Sequence, residues 1–557
     1  MTDRTHPLVD EARRQLETGR TGRREFLRTV TLLGVSSAAA YAMAGRILGE
    51  PLIDPARAQS GETPTKGGIL RVAMQVQKME DPATYSWVEM SNQTRHVAEY
   101  LAITGPDNVT RPMLAESWEP SDDLKTWTFN IRRGVKWHNG DELVAEHVRW
   151  NIERWCEPAL GSANTGLSSI GAMLEDVDGE KRLRADAVEV VDDYTIRFHL
   201  GAPVLSVPED FYNYPMAILH PSFTPPFSAN PIGTGPFTLT DLVVGDRCLL
   251  RRVTETTDGQ PFEYWGDEVH LDGIDYYNFD EDNQLVAFAG GDVDTIYEFG
   301  IEQYEFAKAL PGTIVETRTC QTLCCRFKVT EPPFDDLRVR RALVKGVDNT
   351  VFKDLVFQDT GDVAWNHHVA PVHPEYFELP PLERDVEGAK ALLAEAGYGD
   401  GLELTIDVGN TDGPWHQTVC EIIRDQWADI GVRLNINVMP ASRFWEIWDK
   451  TTFGATAWTH RPLGTMILAL GYRSGVPWNE TDFADPEFDA ALAEAEATFD
   501  VEERRAKMER VERILQDAAV MVQPIYRPVF TIKTERVRGL EGHPTQYHQF
   551  NQVWLAA

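Results

Sequence analysis

An α/β protein of more than one domain, with a β-rich block set into its first lobe, is the fold class that the sequence predicts. Three observations predict it. The 557 residues exceed the roughly 250–300 that a single core organises. Between about residues 114 and 200 the apolar pattern is that of short alternating strands, whereas beyond about 330 strands alternate with amphipathic helices. Within that second stretch, Leu402 to Val438 reads as strand, helix and strand with short links, which demands a right-handed crossover and a parallel sheet.

The first sixty residues are expected to stand outside the fold. Arg23-Arg24-Glu25-Phe26-Leu27-Arg28 leads into an uncharged apolar run, Val30 to Ala44. That run is shorter than the ~20 residues needed to span a bilayer. Twin arginines ahead of a short apolar run read as an export signal of the Tat type, although Gly22 stands where Ser or Thr is usual. Cleavage is expected after Ala42-Met43-Ala44 or after Ala56-Arg57-Ala58, and residues 1–58 are assigned to the leader and its polar continuation. No Cys follows the apolar run to carry a lipid, and nothing later reaches eighteen uninterrupted apolar residues. The processed protein is therefore expected to be soluble, periplasmic and without stable membrane insertion.

Beyond a polar lead-in, Gln59 to Lys66, the segment Gly68 to Met74 alternates as a first strand. Thr126 to Ile131 alternates again, and Glu189-Val190-Val191 with Tyr194 to Leu200 forms a hairpin about Asp192-Asp193. One helix, near Ala145 to Trp155, interrupts these strands. In the second stretch, Val386 to Ala396 is a helix closed by Gly397. Leu402 to Val408 is a strand, Trp415 to Ile430 a helix stopped by Gly431, and Val432 to Val438 a strand. A last amphipathic helix covers Glu502 to Asp517, with Met508, Val511 and Leu515 inward.

Composition removes several functions. With 87 acidic against 53 basic side chains the net charge is −34, which repels phosphate backbones and excludes nucleic acid as a partner. No G-x-S-x-G elbow, H-E-x-x-H pair or Walker loop is present, so no enzyme, cofactor or metal is expected. A secreted hydrolase using acidic residues is the alternative, and a chemoreceptor partner or adhesin a third. Of six cysteines, Cys320, Cys324 and Cys325 lie in a strand-like segment without paired zinc spacing. They read as buried thiols or as part of a disulfide.

Several segments, taken in order, resemble one known family. They are Pro112-Met113-Leu114-Ala115-Glu116-Ser117-Trp118-Glu119, Thr126-Trp127-Thr128-Phe129, Arg132 to Gly140, and Ala145-Glu146-His147-Val148. They continue as Gly233-Thr234-Gly235-Pro236-Phe237, Tyr264-Trp265, Ala289 to Asp294, and Pro333 to Ala342. The chain resembles the family 5 extracellular solute-binding proteins, the oligopeptide, dipeptide and nickel-binding group of ABC importers. The resemblance implies a two-lobed periplasmic binding protein fold, a type C (cluster C-like) clamp with a β-rich inserted subdomain. Lobe I would combine residues 64–100, 230–325 and 525–557, with 101–229 inserted, and lobe II would be 326–524. It implies a monomer that hands its solute to an ABC permease and ATPase complex. The matching residues themselves read as scaffold: turns, strand cores and, at Asp335 or Asp336, a helix cap.

Ligand contacts are expected beyond the carboxyl ends of strands. The segment Gly454 to Trp458 reads as such a strand, and the loop Thr459 to Gly464 follows it. In peptide-binding relatives the matching loop carries acids, one of which meets the peptide's amino terminus. Here His460 and Arg461 stand instead, with no acid from Thr459 to Gly464. A guanidinium favours carboxylate or phosphate, so an oligopeptide or peptide-like anionic compound is expected. The candidate ligand-binding residues are Trp458, His460 and Arg461, with Trp365, Asn366 and His367 in a second loop and Tyr85 and Trp87 after the first strand. Metal binding by the adjacent His367 and His368 is disfavoured, because neighbouring side chains diverge on extended backbone.

Overall fold

The computed structural model describes residues 7–33, 35, 37–48 and 63–556. The expected cleavage point at Ala56-Arg57-Ala58 and the start of the polar lead-in lie outside the described residues. The chain forms two compact units, residues 1–316 with 530–557 and residues 317–529.

The first unit is built on a seven-stranded mixed sheet. Its strands are β1 (Ile69–Met74), β10 (Phe237–Val243), β11 (Arg247–Arg252), β12 (Gly273–Asn278), β13 (Thr295–Ile296), β14 (Thr313–Thr317) and β22 (Val529–Lys533), in the order β10-β11-β12-β1-β13-β22-β14. β1 is parallel to both β12 and β13, and its Leu70, Val72, Ala73 and Met74 are fully buried, as a central strand requires. Set into this unit is an antiparallel subdomain. Its main sheet has the order β4-β5-β9-β8, formed by β4 (Ala115–Pro120), β5 (Thr126–Ile131), β8 (Val188–Asp192) and β9 (Thr195–His199). Hairpins β2 (Ala102–Thr104) with β3 (Thr110–Pro112) and β6 (Leu174–Val177) with β7 (Glu180–Leu183) flank it. Trp118, Trp127 and Phe129 fill its core at 1% exposure or less, which explains why those motif residues are aromatic.

The Gly233-Thr234-Gly235 turn is a point of close backbone approach. A Cβ on Gly233 would sit 1.8 Å from the Val97 carbonyl oxygen, and one on Gly235 would sit 2.4 Å from that of His96. Between them Thr234 Oγ1 donates to the buried Glu99 carboxylate at 2.8 Å, which Tyr264 Oη and Trp265 Nε1 also reach at 2.7 Å each. Two separate family motifs thus meet on one acid. Burial raises the Glu99 carboxyl above its ordinary range, and the three donors offset part of that rise.

The expectation that the first sixty residues stand outside the fold is corrected for residues 7–48. They form helices α1 (Pro7–Glu17), α2 (Arg23–Leu32) and α3 (Ser37–Leu48), which pack on one another, and α2 also packs against β3. An apolar run this long lowers its exposed surface by finding cover, and Phe26, Val30, Ala40 and Ala44 are fully buried.

The second unit carries a seven-stranded sheet of order β16-β21-β15-β19-β17-β18, with β20 also paired to β15. The strands are β15 (Thr322–Phe327), β16 (Asp362–Val363), β17 (Leu402–Val408), β18 (Val432–Val438), β19 (Phe453–Trp458), β20 (Met521–Val522) and β21 (Ile525–Tyr526). The strand, helix and strand read from sequence are β17, α4 (Trp415–Ala428) and β18, paired in parallel and in register from Leu402↔Val432 to Val408↔Val438. Gly431 follows at φ +78°, a conformation that a side chain would strain. Helix α5 (Val501–Ala518) is capped by Asp500 and buries Met508, Val511 and Leu515. Asp336 caps the helix Leu337–Lys345 through the Arg338 amide. All six cysteines are buried free thiols.

Candidate ligand-binding site

β17 and β19 are parallel neighbours, so their carboxyl ends share one edge of the second unit's sheet. β15 runs antiparallel to β19, and β21 antiparallel to β15. The start of β15 and the end of β21 therefore reach the same edge. Four loops converge there: residues 409–414, 459–463, 319–321 and the turn at Arg527. Hydrogen bonds tie them together. The Cys320 amide donates to His460 Nδ1 at 3.1 Å, and Arg527 Nη2 donates to Gln321 Oε1 at 2.8 Å and to Asp412 Oδ1 at 2.9 Å.

Arg461 occupies the centre of the loop that follows β19. Its Nη1 donates to Thr459 Oγ1 at 2.8 Å and to the His460 carbonyl at 3.0 Å, while its residue exposure is 6%. Among the described residues no carboxylate pairs with this guanidinium. The loop backbone is fixed from behind: the Arg461 amide donates to Cys320 Sγ, and its carbonyl faces His373 Nε2 at 3.1 Å. A cation held in low dielectric without a counter-charge is costly, and an incoming anion recovers that cost.

Trp458 ends β19. Its Nε1 donates to Glu480 Oε1 at 2.9 Å, and its ring lies 6.1 Å from Trp478 and 5.3 Å from His368. Glu480 also accepts from Thr456 Oγ1 at 2.6 Å and from Arg326 Nε at 2.9 Å, so it is neutralised inside the unit. His460 is 1% exposed, with Nδ1 occupied by the Cys320 amide.

The second loop is turned inward. Asn366 is 2% exposed and its Oδ1 accepts from the Gln523 amide at 2.7 Å. His367 is fully buried, 3.5 Å from Glu512, and burial pushes it down to about 3. The adjacent His368 diverges to Tyr472 Oη at 2.8 Å. Trp365 is half-buried, and its carbonyl accepts from Gln516 Nε2. In the first unit, Tyr85 is 2% exposed with its hydroxyl 2.9 Å from Thr94 Oγ1, whereas Trp87 is 41% exposed. Of the candidates, the structure thus joins Trp458, His460 and Arg461 at one sheet edge and sets Asn366, His367 and Tyr85 into packing. Among the described residues no group of three or more His, Cys, Asp or Glu is arranged to hold a metal ion, and no helix is long and apolar enough to cross a membrane.

Sequence reasoning missed Asp412, His416 and Arg527. Arg527 pairs with Asp412 at 2.8 Å, and its guanidinium carbon lies 5.9 Å from the Trp415 ring. His416 is fully buried beside Trp415, with ring centroids 4.4 Å apart, and burial pushes it down to about 3. Arg527 and Asp412 are 115 positions apart in the chain, so no local pattern could have paired them.

The family model for bacterial extracellular solute-binding proteins, family 5 (middle), matches residues 109–470. The periplasmic oligopeptide-binding protein OppA of Haemophilus influenzae is 26% identical over 501 residues, covering 84% of this chain and 90% of that one. Heme-binding protein A of the same organism is 27% identical over 471 residues, covering 79% and 83%. The structure of the periplasmic binding protein DppA from Helicobacter pylori, in complex with peptide STSA, superposes with a TM-score of 0.74 at 21% identity, covering 88% of this chain and 99% of that one. The fold is that of the two-lobed periplasmic binding proteins. The chain belongs to the family 5 extracellular solute-binding proteins.

Proposed function

We propose that this family 5 member is the solute-binding subunit of an ABC importer, which captures a peptide or peptide-like anionic compound and delivers it unchanged to a membrane permease. Relatives named for oligopeptide and dipeptide binding support the peptide class. The observation that carries the anionic preference is Arg461: buried, fixed by Thr459 and His460, and paired with no carboxylate among the described residues. In this reading Arg461 receives the anion, Trp458 supplies an apolar wall, and His460 holds the loop. Trp87 offers an exposed aromatic face on the first unit, where Tyr85 is packed, and Trp365, Asn366 and His367 pack within the second unit. The protein would work as a periplasmic monomer, exported through its twin-arginine leader.

The test is mass spectrometry of whatever solute co-purifies, followed by thermal-shift titration with acidic and basic peptides of equal length. A ligand that binds only the folded state raises the melting temperature by mass action. Acidic peptides should stabilise the protein more than basic ones. Arg461→Ala should weaken that binding about 10- to 100-fold, the range of a charge-assisted hydrogen bond, and Arg461→Lys should recover part of it. Equal stabilisation by both peptide classes, or an unchanged affinity in Arg461→Ala, would overturn the anionic reading. Turnover of the peptide would overturn the binding-protein reading itself.

A further inference from the structure

The arginine-led segment that reads as an export leader is in contact with the inserted subdomain. Arg28 on α2 is only 2% exposed, although it is a guanidinium near the N-terminus of the chain. Its Nη1 lies 3.4 Å from Glu25 Oε1 and its Nη2 lies 3.4 Å from Glu209 Oε1. The Glu209 side chain, in the short helix Val207–Asp210, is fully buried. One turn further along α2, the Thr31 hydroxyl reaches the Thr110 carbonyl of β3 at 3.0 Å and shares its one proton with the Leu27 and Arg28 carbonyls of its own helix at 2.8 and 3.0 Å. Phe26 and Val30 are fully buried and Leu27 is 3% exposed.

These contacts differ in kind from apolar adhesion. A greasy helix can slide over an apolar surface, whereas a buried ion pair fixes its register, because moving either partner leaves a charge buried alone. The contact from the Thr31 hydroxyl to the Thr110 carbonyl turns the same face of the helix to β3.

We infer that the inserted subdomain carries a docking surface for the chain's own leader, latched by Arg28 with Glu209 and by Thr31 with Thr110. The inference rests on the reading of residues 23–44 as an export segment. While the latch is closed, Arg28 and the apolar face of α2 are covered, so neither an export receptor nor a membrane can engage them. Opening the latch is then a step that precedes export. Docking also hides an apolar run that would otherwise promote aggregation of the unprocessed chain.

The latch is tested on the purified full-length chain by brief trypsin digestion, read by intact mass. Arg20 is exposed and serves as the internal reference cut. Cleavage after Arg28 requires α2 to lift away, so its rate relative to Arg20 follows the open population. The Arg28 cut should be slow in the wild type and should accelerate about tenfold or more in Glu209→Gln, which weakens a charge-assisted bond. Thr31→Val alters the leader alone and should accelerate it by about threefold to tenfold with the melting temperature of the body unchanged. Protection that fades on dilution would overturn the inference in favour of a leader docked on a second copy. Equal rates at Arg28 and Arg20 in the wild type, or a ratio unmoved by both substitutions, would also overturn it. The assay involves neither export nor ligand, so its failure leaves the importer reading standing.

Discussion

Glu480 holds the indole of Trp458: its Oε1 accepts from Trp458 Nε1 at 2.9 Å, while its Oε2 accepts from the guanidinium of Arg326 at 2.9 Å. A residue expected to face ligand is therefore oriented by a carboxylate that the sequence places 22 positions away, and that carboxylate is neutralised by a strand on the other side of β19. Arg326 and Glu480 are 0% and 3% exposed. Removing one member of a buried pair strands the other, at a cost of about 3–5 kcal/mol. Glu480→Ala should lower the urea midpoint accordingly and release the Trp458 ring, seen as altered tryptophan fluorescence. A midpoint within the error of wild type would show that the pair is not a structural anchor.

The Glu99 site predicts a graded response. Its carboxylate collects Thr234, Tyr264 and Trp265. Glu99→Gln keeps one acceptor oxygen but turns an amide against a donor, and should cost about 1–3 kcal/mol. Trp265→Phe removes a single donor and should cost less. The ordering is checked by chemical denaturation of the two variants side by side.

Acid should weaken the fold in a defined window. Burial pushes His96, His367, His416 and His543 from near 6.5 down to about 3. The folded state then binds fewer protons than the unfolded chain between these values, so stability rises with pH there. Stability from these four groups is complete above about pH 6.5 and is lost as pH falls towards 3. Urea denaturation from pH 7.5 to 4 should show proton uptake on unfolding, and His416→Leu should reduce that uptake by up to one proton. An unchanged slope in that variant would refute the assignment for His416.

Thiol chemistry should be silent in the folded protein. All six cysteines are buried, and burial pushes Cys156 and Cys320 up to about 12, far from the thiolate that reacts. Ellman's reagent at pH 8 should find almost no thiol in the native state and six in urea. A count of four in urea would reveal a disulfide. Neighbouring Cys420, together with burial, holds the Cys325 thiol well above its ordinary range, which makes this pair the first to examine by peptide mapping.

Much of the secondary structure was legible because its causes are local. The period-two alternation in Leu402–Val408 and Val432–Val438 survives as β17 and β18, since one face of each strand is buried between helix and sheet. The end of β19 at Trp458 was read from residues within the same strand. The candidate site was only partly legible. His460 and Arg461 could be placed because they follow that strand directly. Tyr85 could not be placed, because whether an aromatic ring lines a surface or fills a core depends on its neighbours in space, here Thr94. The N-terminal helices illustrate the same limit: the apolar run was evident, and the surface that covers it was not.

By itself, then, the order of residues determined where strands and helices begin, which charge stands in the loop after β19, and that a pair of arginines precedes an apolar run. Only the tertiary structure decided that Arg461 is buried with no carboxylate paired to it among the described residues, that Asp412 meets Arg527, and that Arg28 meets Glu209. The reason is physical. Periodicity and turn chemistry act between neighbours in the chain, whereas the counter-charge of a buried group is set by whichever distant segment the sheet topology brings to the same edge.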